Sequence, residues 1–197
     1  MSVKISRLLP IIGAFAAGLA LFLGAILLVT GLSSGPTGAA NIGGPFALVD
    51  QNGQPFTDAD MKGKPYLVFV GYTHCPDICP TTLFEMSQLM RKLGPDADHV
   101  GVLFVTVDPE RDTVPVLKDY MSSFDPHLRG LTGPRPAIDQ AIKDYRVYAK
   151  KVPLEGGDYS MDHSAVVYLM DKNGRFVAPF NMQRKADAEA DELHRYL

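Results

Sequence analysis

Hydrophobic residues form one long N-terminal run and then several shorter runs along the rest of the chain. The first run, from position 8 to position 32, contains no charged residue and is long enough to cross about 30 Å of hydrocarbon as a helix. Lys4 and Arg7 precede it and the next basic residue is Lys62, so the positive-inside rule places the N-terminus in the cytoplasm. The pattern predicts a cytoplasmic segment at 1–7, one transmembrane anchor at 8–32 and an exported remainder.

The same run also fits a cleavable signal peptide, because the small residues at 37–40 offer a cleavage site. Its apolar stretch is longer than the roughly 7–15 residues typical of a signal core, which favours a retained anchor. Residues 33–44 are rich in glycine, serine, alanine and threonine and are expected to form a flexible linker. Under either interpretation a single domain, 45–197, lies on the far side of the membrane.

Strand-length and helix-length patterns alternate within residues 45–197. The continuous apolar runs at 66–72 and 100–107 are typical of strands that are buried on both faces of a parallel sheet. Helical patterns follow them at 81–93 and 113–124. This βαβα order predicts an α/β domain with parallel central strands and helices packed against the sheet.

The remaining pattern completes the predicted fold. Asn52–Gly53 indicates a two-residue turn in an N-terminal β-hairpin, and Asp171–Gly174 indicates the turn of a C-terminal hairpin. Residues 154–160 contain two adjacent glycines and are expected to be a mobile loop. A short strand is expected at 129–132, and helices at 136–147 and 185–196. The sequence therefore predicts a thioredoxin-like fold with an added N-terminal hairpin, preceded by one transmembrane helix.

Composition and charge narrow the possible functions of the chain. Its 197 residues are enough for one anchor and one domain with a substantial core. Its formal net charge is −3, and lysine and arginine are spread too thinly to form a basic stripe along a phosphate backbone. No P-loop, GxGxxG motif or zinc-protease motif occurs in the sequence. Nucleic acid is therefore not expected as a partner.

The chain has two cysteines, Cys75 and Cys79, and both lie in the exported part. In an oxidising compartment such a pair forms a disulfide, a redox couple or a soft-metal site. A structural disulfide is the weakest of these readings, because closing so short a loop removes little entropy from the unfolded chain. Three residues separate the cysteines, whereas a thioredoxin-type motif has two, and this weakens without excluding a redox role with Cys75 and Cys79 as the catalytic pair.

Pro80 is expected to be the first residue of the helix that follows the cysteines, because proline is well tolerated at that position. Cys79 would then be the N-cap residue, where free backbone donors and the helix dipole favour a thiolate. We therefore expect a lowered pKa for Cys79. Two thiolates suit Cu(I), which is satisfied by two or three soft ligands, whereas structural zinc takes four.

A third metal ligand has to come from elsewhere, and His163 is the best candidate by its place in the sequence. It is expected where the loop 154–160 ends and the chain enters a strand at 164–170, beside the cysteine-bearing helix end of a thioredoxin-like fold. The alternative is an ordinary loop histidine bonded to the backbone. His74 is a weaker candidate, because its side chain points to the opposite side if the preceding strand continues through it.

Four motifs are spread along the domain. They are YTHCPDICP at 72–80, VDPERDT at 107–113, LTG at 131–133 and DYSMDHS at 158–164. Together they resemble the Sco/SenC family, whose members are copper chaperones for cytochrome c oxidase assembly. The resemblance extends from residue 45 to about residue 196.

That resemblance implies a copper-binding metallochaperone with Cys75, Cys79 and His163 as the ligands of a copper ion, Cu(I), Cu(II) or both. It implies a single-pass protein of a bacterial inner membrane whose domain faces the periplasm. The implied client is cytochrome c oxidase subunit II, at its CuA site, with a copper donor chaperone and a thiol reductant protein as further partners. We expect a delivery protein rather than an enzyme, and the alternative is a membrane-anchored thiol–disulfide oxidoreductase that uses the Cys75/Cys79 pair.

Overall fold

The computed structural model describes residue 15, residues 17–26 and residues 42–197. The chain divides into two units, 1–40 and 41–197, and every element numbered below belongs to the second.

The N-terminal predictions fall mainly on residues that are not described. Segment 1–7 lies wholly outside the described residues, and so do most of the anchor predicted at 8–32 and most of the linker predicted at 33–44. The described residues of the anchor region, 15 and 17–26, are helical. Within the described part of the chain, no helix is both long enough and apolar enough to span a membrane.

A mixed seven-stranded sheet lies at the centre of the second unit, and a separate two-stranded sheet accompanies it. The strands are β1 (Ala47–Asp50), β2 (Pro55–Thr57), β3 (Tyr66–Gly71), β4 (Gly101–Thr106), β5 (Leu128–Thr132), β6 (Ala149–Pro153), β7 (Tyr159–His163), β8 (Val167–Met170) and β9 (Phe176–Pro179). The large sheet has the order β2-β1-β5-β4-β3-β8-β9. Within it β3, β4 and β5 run parallel, whereas the other neighbours are antiparallel. The predicted parallel centre is therefore confirmed.

Helices cover both faces of this sheet. They are α1 (Ile78–Leu93), α2 (Val114–Met121), α3 (Arg135–Asp144) and α4 (Ala186–His194). Buried residues of α1, α2 and α4 pack in one core with Leu67 and Phe69 of β3. Val68 and Val70 point to the opposite face and pack in a second core with Ile138 of α3. Both β3 and β4 are buried along their whole length, as their continuous apolar runs predict.

Both predicted hairpins are present, but the N-terminal turn is one residue longer than expected. Asp50 N–H donates to the Gln54 carbonyl oxygen and Gly53 N–H donates to that of Asp50, so three residues form the turn. Gly53 has φ +78°, the left-handed conformation that glycine adopts at no steric cost. The prediction of a two-residue turn was wrong, because the asparagine–glycine pair also fits a three-residue turn that ends on a left-handed glycine.

The loop predicted at 154–160 is shorter than expected, because residues 159–160 belong to a strand. β6 and β7 pair antiparallel, with Ala149 opposite His163, and a short 3₁₀ turn at Glu155–Gly157 joins them. The strand predicted from residue 164 begins only at Val167. Residues 154–158 form the predicted connection, but the strands on either side of it were not predicted, because most of their side chains are exposed or half-buried and leave a weak hydrophobic pattern.

Candidate metal centre

The two cysteines lie where β3 leads into α1. Cys75 is half-buried in the connecting loop, and Cys79 is the second residue of the helix and fully buried. The helix begins at Ile78, with Asp77 as the N-cap residue. The prediction that it begins at Pro80, with Cys79 as the cap, was wrong. Pro80 fits the third position because none of the first four N–H groups of a helix has a partner within the helix.

Burial determines the ionisation of Cys79. It raises the pKa of the Cys79 thiol above its ordinary value, although a backbone hydrogen bond involving Tyr72 acts in the opposite direction. The expectation of a lowered pKa for Cys79 was wrong, because burial destabilises the thiolate more than the helix N-terminus stabilises it. The Cys79 N–H also donates to the Cys75 sulfur, with a nitrogen–sulfur distance of 3.4 Å. A hydrogen bond therefore connects the two cysteines directly.

The His163 ring faces the cysteines from the end of β7. Its Nε2 atom lies 3.6 Å from the Cys79 sulfur. Its Nδ1 atom lies 3.2 Å from the Ser164 carbonyl oxygen, which can only accept, so Nδ1 carries the proton and Nε2 presents its lone pair to the sulfur. The ring packs edge-on against Tyr72 at 5.7 Å between centroids. Burial lowers the pKa of His163, which favours the neutral imidazole that a metal requires.

The structure brings the three residues selected from the sequence together. The sulfurs of Cys75 and Cys79 and one ring nitrogen of His163 all lie within 4.8 Å of one another. In the described part of the chain this is the one group of three such side chains close enough to hold an ion. Two sulfurs and an imidazole nitrogen form a soft donor set that suits copper better than magnesium or calcium. Their role as ligands stays a prediction.

The other candidate histidine does not join this group. The His74 side chain is about half exposed, at 51%, and its Nδ1 atom lies 3.0 Å from the Thr73 hydroxyl and 3.9 Å from an Asp112 carboxylate oxygen. Among the described residues, the group of side chains close enough to share an ion does not include His74. The sequence-based preference for His163 over His74 agrees with this geometry.

Sequence reasoning missed the residue that fixes the cysteine loop. The buried Asp112 carboxylate accepts hydrogen bonds from the Thr73 N–H at 3.0 Å, the Thr73 hydroxyl at 2.6 Å and the Thr106 hydroxyl at 2.5 Å. Thr73 precedes Cys75 by two residues, so this carboxylate holds the start of the loop in place. Asp112 belongs to a motif noted only for its resemblance, and no local pattern indicates that it reaches a residue 39 positions away.

Comparison with known proteins adds a family match. The model of the SCO1/SenC family matches residues 34–197. The mitochondrial protein SCO2 homolog of Mus musculus is 41% identical over 157 residues, which cover 78% of this chain and 62% of the mouse protein. The chain thus spans less than two thirds of that relative's length.

Two solved structures are similar to the domain. ScoI of Bradyrhizobium japonicum, solved with copper bound, is 60% identical with a TM-score of 0.78, and the match covers 79% of this chain and 99% of that one. BsSco, a member of the Sco family of cytochrome c oxidase assembly proteins in which a disulfide switch was identified, is 26% identical with a TM-score of 0.64. Its match covers 79% of this chain and 93% of BsSco. These similarities confirm that the domain has the mixed α/β fold of the Sco proteins.

Proposed function

Because the chain belongs to the SCO1/SenC family, we propose that its domain binds one copper ion through Cys75, Cys79 and His163 and serves in the assembly of cytochrome c oxidase. The observation that carries the proposal is the convergence of these three donors within 4.8 Å, although the histidine lies 84 residues beyond Cys79. The copper bound in the similar ScoI structure supports the choice of metal.

Each of the three residues has a distinct task in this proposal. Cys79 supplies a buried thiol that gives up its proton when copper binds, because the thiolate is the form that ligates. Cys75 supplies the more accessible sulfur, through which copper can arrive and leave. His163 supplies a neutral imidazole whose orientation is fixed by the hydrogen bond to the Ser164 carbonyl oxygen.

The same sulfurs make copper binding dependent on redox state. Oxidation of Cys75 and Cys79 to a disulfide forms one sulfur–sulfur bond and releases two protons. The two electrons pass to an oxidant in the compartment that the domain faces. The disulfide offers no thiolate, so copper is not retained. A thiol reductant protein is therefore needed as a partner to restore the copper-binding state.

The finer points of the proposal concern partners and location. The client is subunit II of the oxidase, which the chain loads with copper or prepares for copper at the CuA site, and the copper comes from a donor chaperone. The uncharged run at 8–32 anchors the chain by a single pass in a bacterial inner membrane, with the domain in the periplasm. Family membership supports the client, and the placement of Lys4 and Arg7 before the uncharged run supports the orientation.

Copper titration of the full chain in detergent, reduced and oxidised, tests the proposal. The reduced wild type is expected to bind one Cu(I), and His163→Ala is expected to weaken binding by more than about 100-fold, because loss of a residue that only supports a ligand already costs about 10–100-fold. His74→Ala, a matched control next to Cys75, is expected to bind as the wild type does. The oxidised chain is expected to bind no copper. Absence of copper binding by the reduced wild type would contradict the proposal and favour a thiol–disulfide oxidoreductase.

A further inference from the structure

Side chains, rather than a sheet ladder, tie the hairpin that carries His163 to the rest of the domain. Strands β6 and β7 pair with each other and lie outside the seven-stranded sheet. Met161 is the buried side chain of these two strands, and the others are exposed or half-buried. Hydrophobic packing therefore holds this hairpin less firmly than the central strands. The distance from His163 to the sulfurs depends on the polar contacts that the hairpin makes.

Arg111, in the loop after β4, makes several polar contacts to the hairpin, and Lys151 of β6 adds another by donating to the Glu110 carboxylate at 2.7 Å. Its Nη1 atom donates to the Tyr159 carbonyl oxygen at 2.8 Å and to the Asp158 carboxylate at 3.2 Å. The guanidinium carbon lies 3.7 Å from the centroid of the Tyr159 ring, a cation–π contact. One side chain therefore holds both the backbone and the ring at the start of β7.

Asp108 closes these contacts into a ring. Its buried carboxylate accepts a hydrogen bond from Arg111 Nε at 2.5 Å on one oxygen and from the Tyr159 hydroxyl at 3.0 Å on the other. Arg135 lies 3.9 Å from the same carboxylate, so Asp108 keeps one cationic neighbour if Arg111 is lost. Such bonds between charged partners of low exposure are stronger than those on an open surface.

The loop that carries Arg111 also reaches the cysteine half of the centre. The next residue, Asp112, holds Thr73 ahead of Cys75 by the two hydrogen bonds described above. The Arg111 guanidinium also lies 5.9 Å from the centroid of the Tyr72 ring, which packs against His163. One short loop thus contacts both chain segments that supply the proposed ligands.

We propose that Arg111, together with Asp108 and Tyr159, is a positioning residue that sets the place of His163 relative to the two sulfurs without touching the metal. This inference rests on the proposed function, since it assigns a supporting residue to that same copper site. Loss of Arg111 leaves both thiols in place and frees the imidazole to move away. A copper site of two sulfurs and one nitrogen then becomes a site of two sulfurs.

The test compares Arg111→Gln with the matched control Arg129→Gln in the full chain in detergent. Arg129 also pairs with a buried carboxylate, that of Asp50 at 2.7 Å, and lies over an aromatic ring, that of Phe56 at 5.1 Å, but it makes these contacts at the N-terminal hairpin. The readouts are the Cu(I) dissociation constant by chelator competition and the nitrogen coupling of the Cu(II) form in pulsed electron paramagnetic resonance. Arg111→Gln is expected to weaken binding 10–100-fold and to reduce the nitrogen coupling, as loss of a supporting residue does. Arg129→Gln is expected to change neither.

A second readout needs no copper and separates this inference from the proposed function. Hydrogen–deuterium exchange of segment 149–163 is expected to rise in Arg111→Gln and to stay at the wild-type level in Arg129→Gln. Tyr159→Phe removes only the hydrogen bond from the Tyr159 hydroxyl to Asp108, and it is expected to give a smaller rise in exchange in the same segment. This variant replaces Arg111→Gln in the test if Arg111→Gln does not fold. A wild type that binds no copper would defeat the proposed function alone. Wild-type exchange in segment 149–163 of these variants, or wild-type nitrogen coupling in a copper-loaded variant, would overturn the positioning role.

Discussion

The Cys79 sulfur packs against the backbone of β3 with no room for another carbon atom. A Cβ atom on Gly71 would lie 2.7 Å from this sulfur and 2.8 Å from the Phe104 ring, closer than real contacts allow. The bare backbone at position 71 therefore lets α1 approach the strand closely enough for the sulfur to lie near His163. A glycine in a buried strand weakens the strand itself, so its presence indicates a need for this close approach.

Gly71→Ala is accordingly expected to push the Cys79 sulfur out of place. Overpacking of this kind costs about 1–3 kcal/mol of unfolding free energy. Because the sulfur is the nearest atom, copper binding is expected to weaken as well, by about tenfold or more, as it does when a supporting group of a metal site is lost. Urea unfolding and chelator competition measure the two effects.

Gly133→Ala is the matched control for this change. A Cβ atom there would meet its nearest neighbour, the tip of Leu48, at 3.4 Å, which a small shift relieves. Copper affinity is expected to stay at the wild-type level in this control. Wild-type copper affinity in Gly71→Ala as well would show that the close packing at β3 does not set the geometry of the centre.

Among the elements, the hydrophobic pattern predicted those that are buried and missed one that is not. Strands β3 and β4 were predicted correctly because their apolar runs are continuous and both of their faces are covered. Hairpin β6–β7 was missed because its position depends on contacts of Arg111 with residues 47 and 48 positions further along the chain, which leave no local periodicity. Thus the approach of His163 to the cysteines could be predicted from topology, but the contacts that hold it could not.

The cysteine loop depends on a single buried carboxylate in the same way. Asp112→Asn keeps the shape of the side chain but replaces one acceptor oxygen by a donor group that faces the donors on Thr73 or Thr106. Unfolding free energy is expected to fall by about 1–3 kcal/mol, because buried polar groups lose their partners. The exposed Asp119, changed to asparagine, serves as the control and is expected to alter stability by less than about 0.5 kcal/mol. Equal stability of both variants in urea unfolding would contradict this role of Asp112.

At the scale of the whole domain, the candidate centre lies at the edge where parallel strands end. β3 and β4 pair in parallel up to Gly71 and Thr106, and the cysteine loop and the loop of Arg111 and Asp112 follow them directly. Open α/β sheets commonly bind ligands at the carboxyl ends of their strands, because loops from several strands meet there. The buried sheet therefore fixes where both loops start, and the loops place the ligating atoms.

The proposed function requires that this edge holds one copper ion between two sulfurs and one imidazole nitrogen. X-ray absorption spectroscopy of the reduced, copper-loaded full chain counts these neighbours directly. The wild type is expected to show two sulfur neighbours and one nitrogen neighbour, and His163→Ala is expected to lose the nitrogen alone. A copper ion without sulfur neighbours, or the same neighbours in both proteins, would contradict the proposed function.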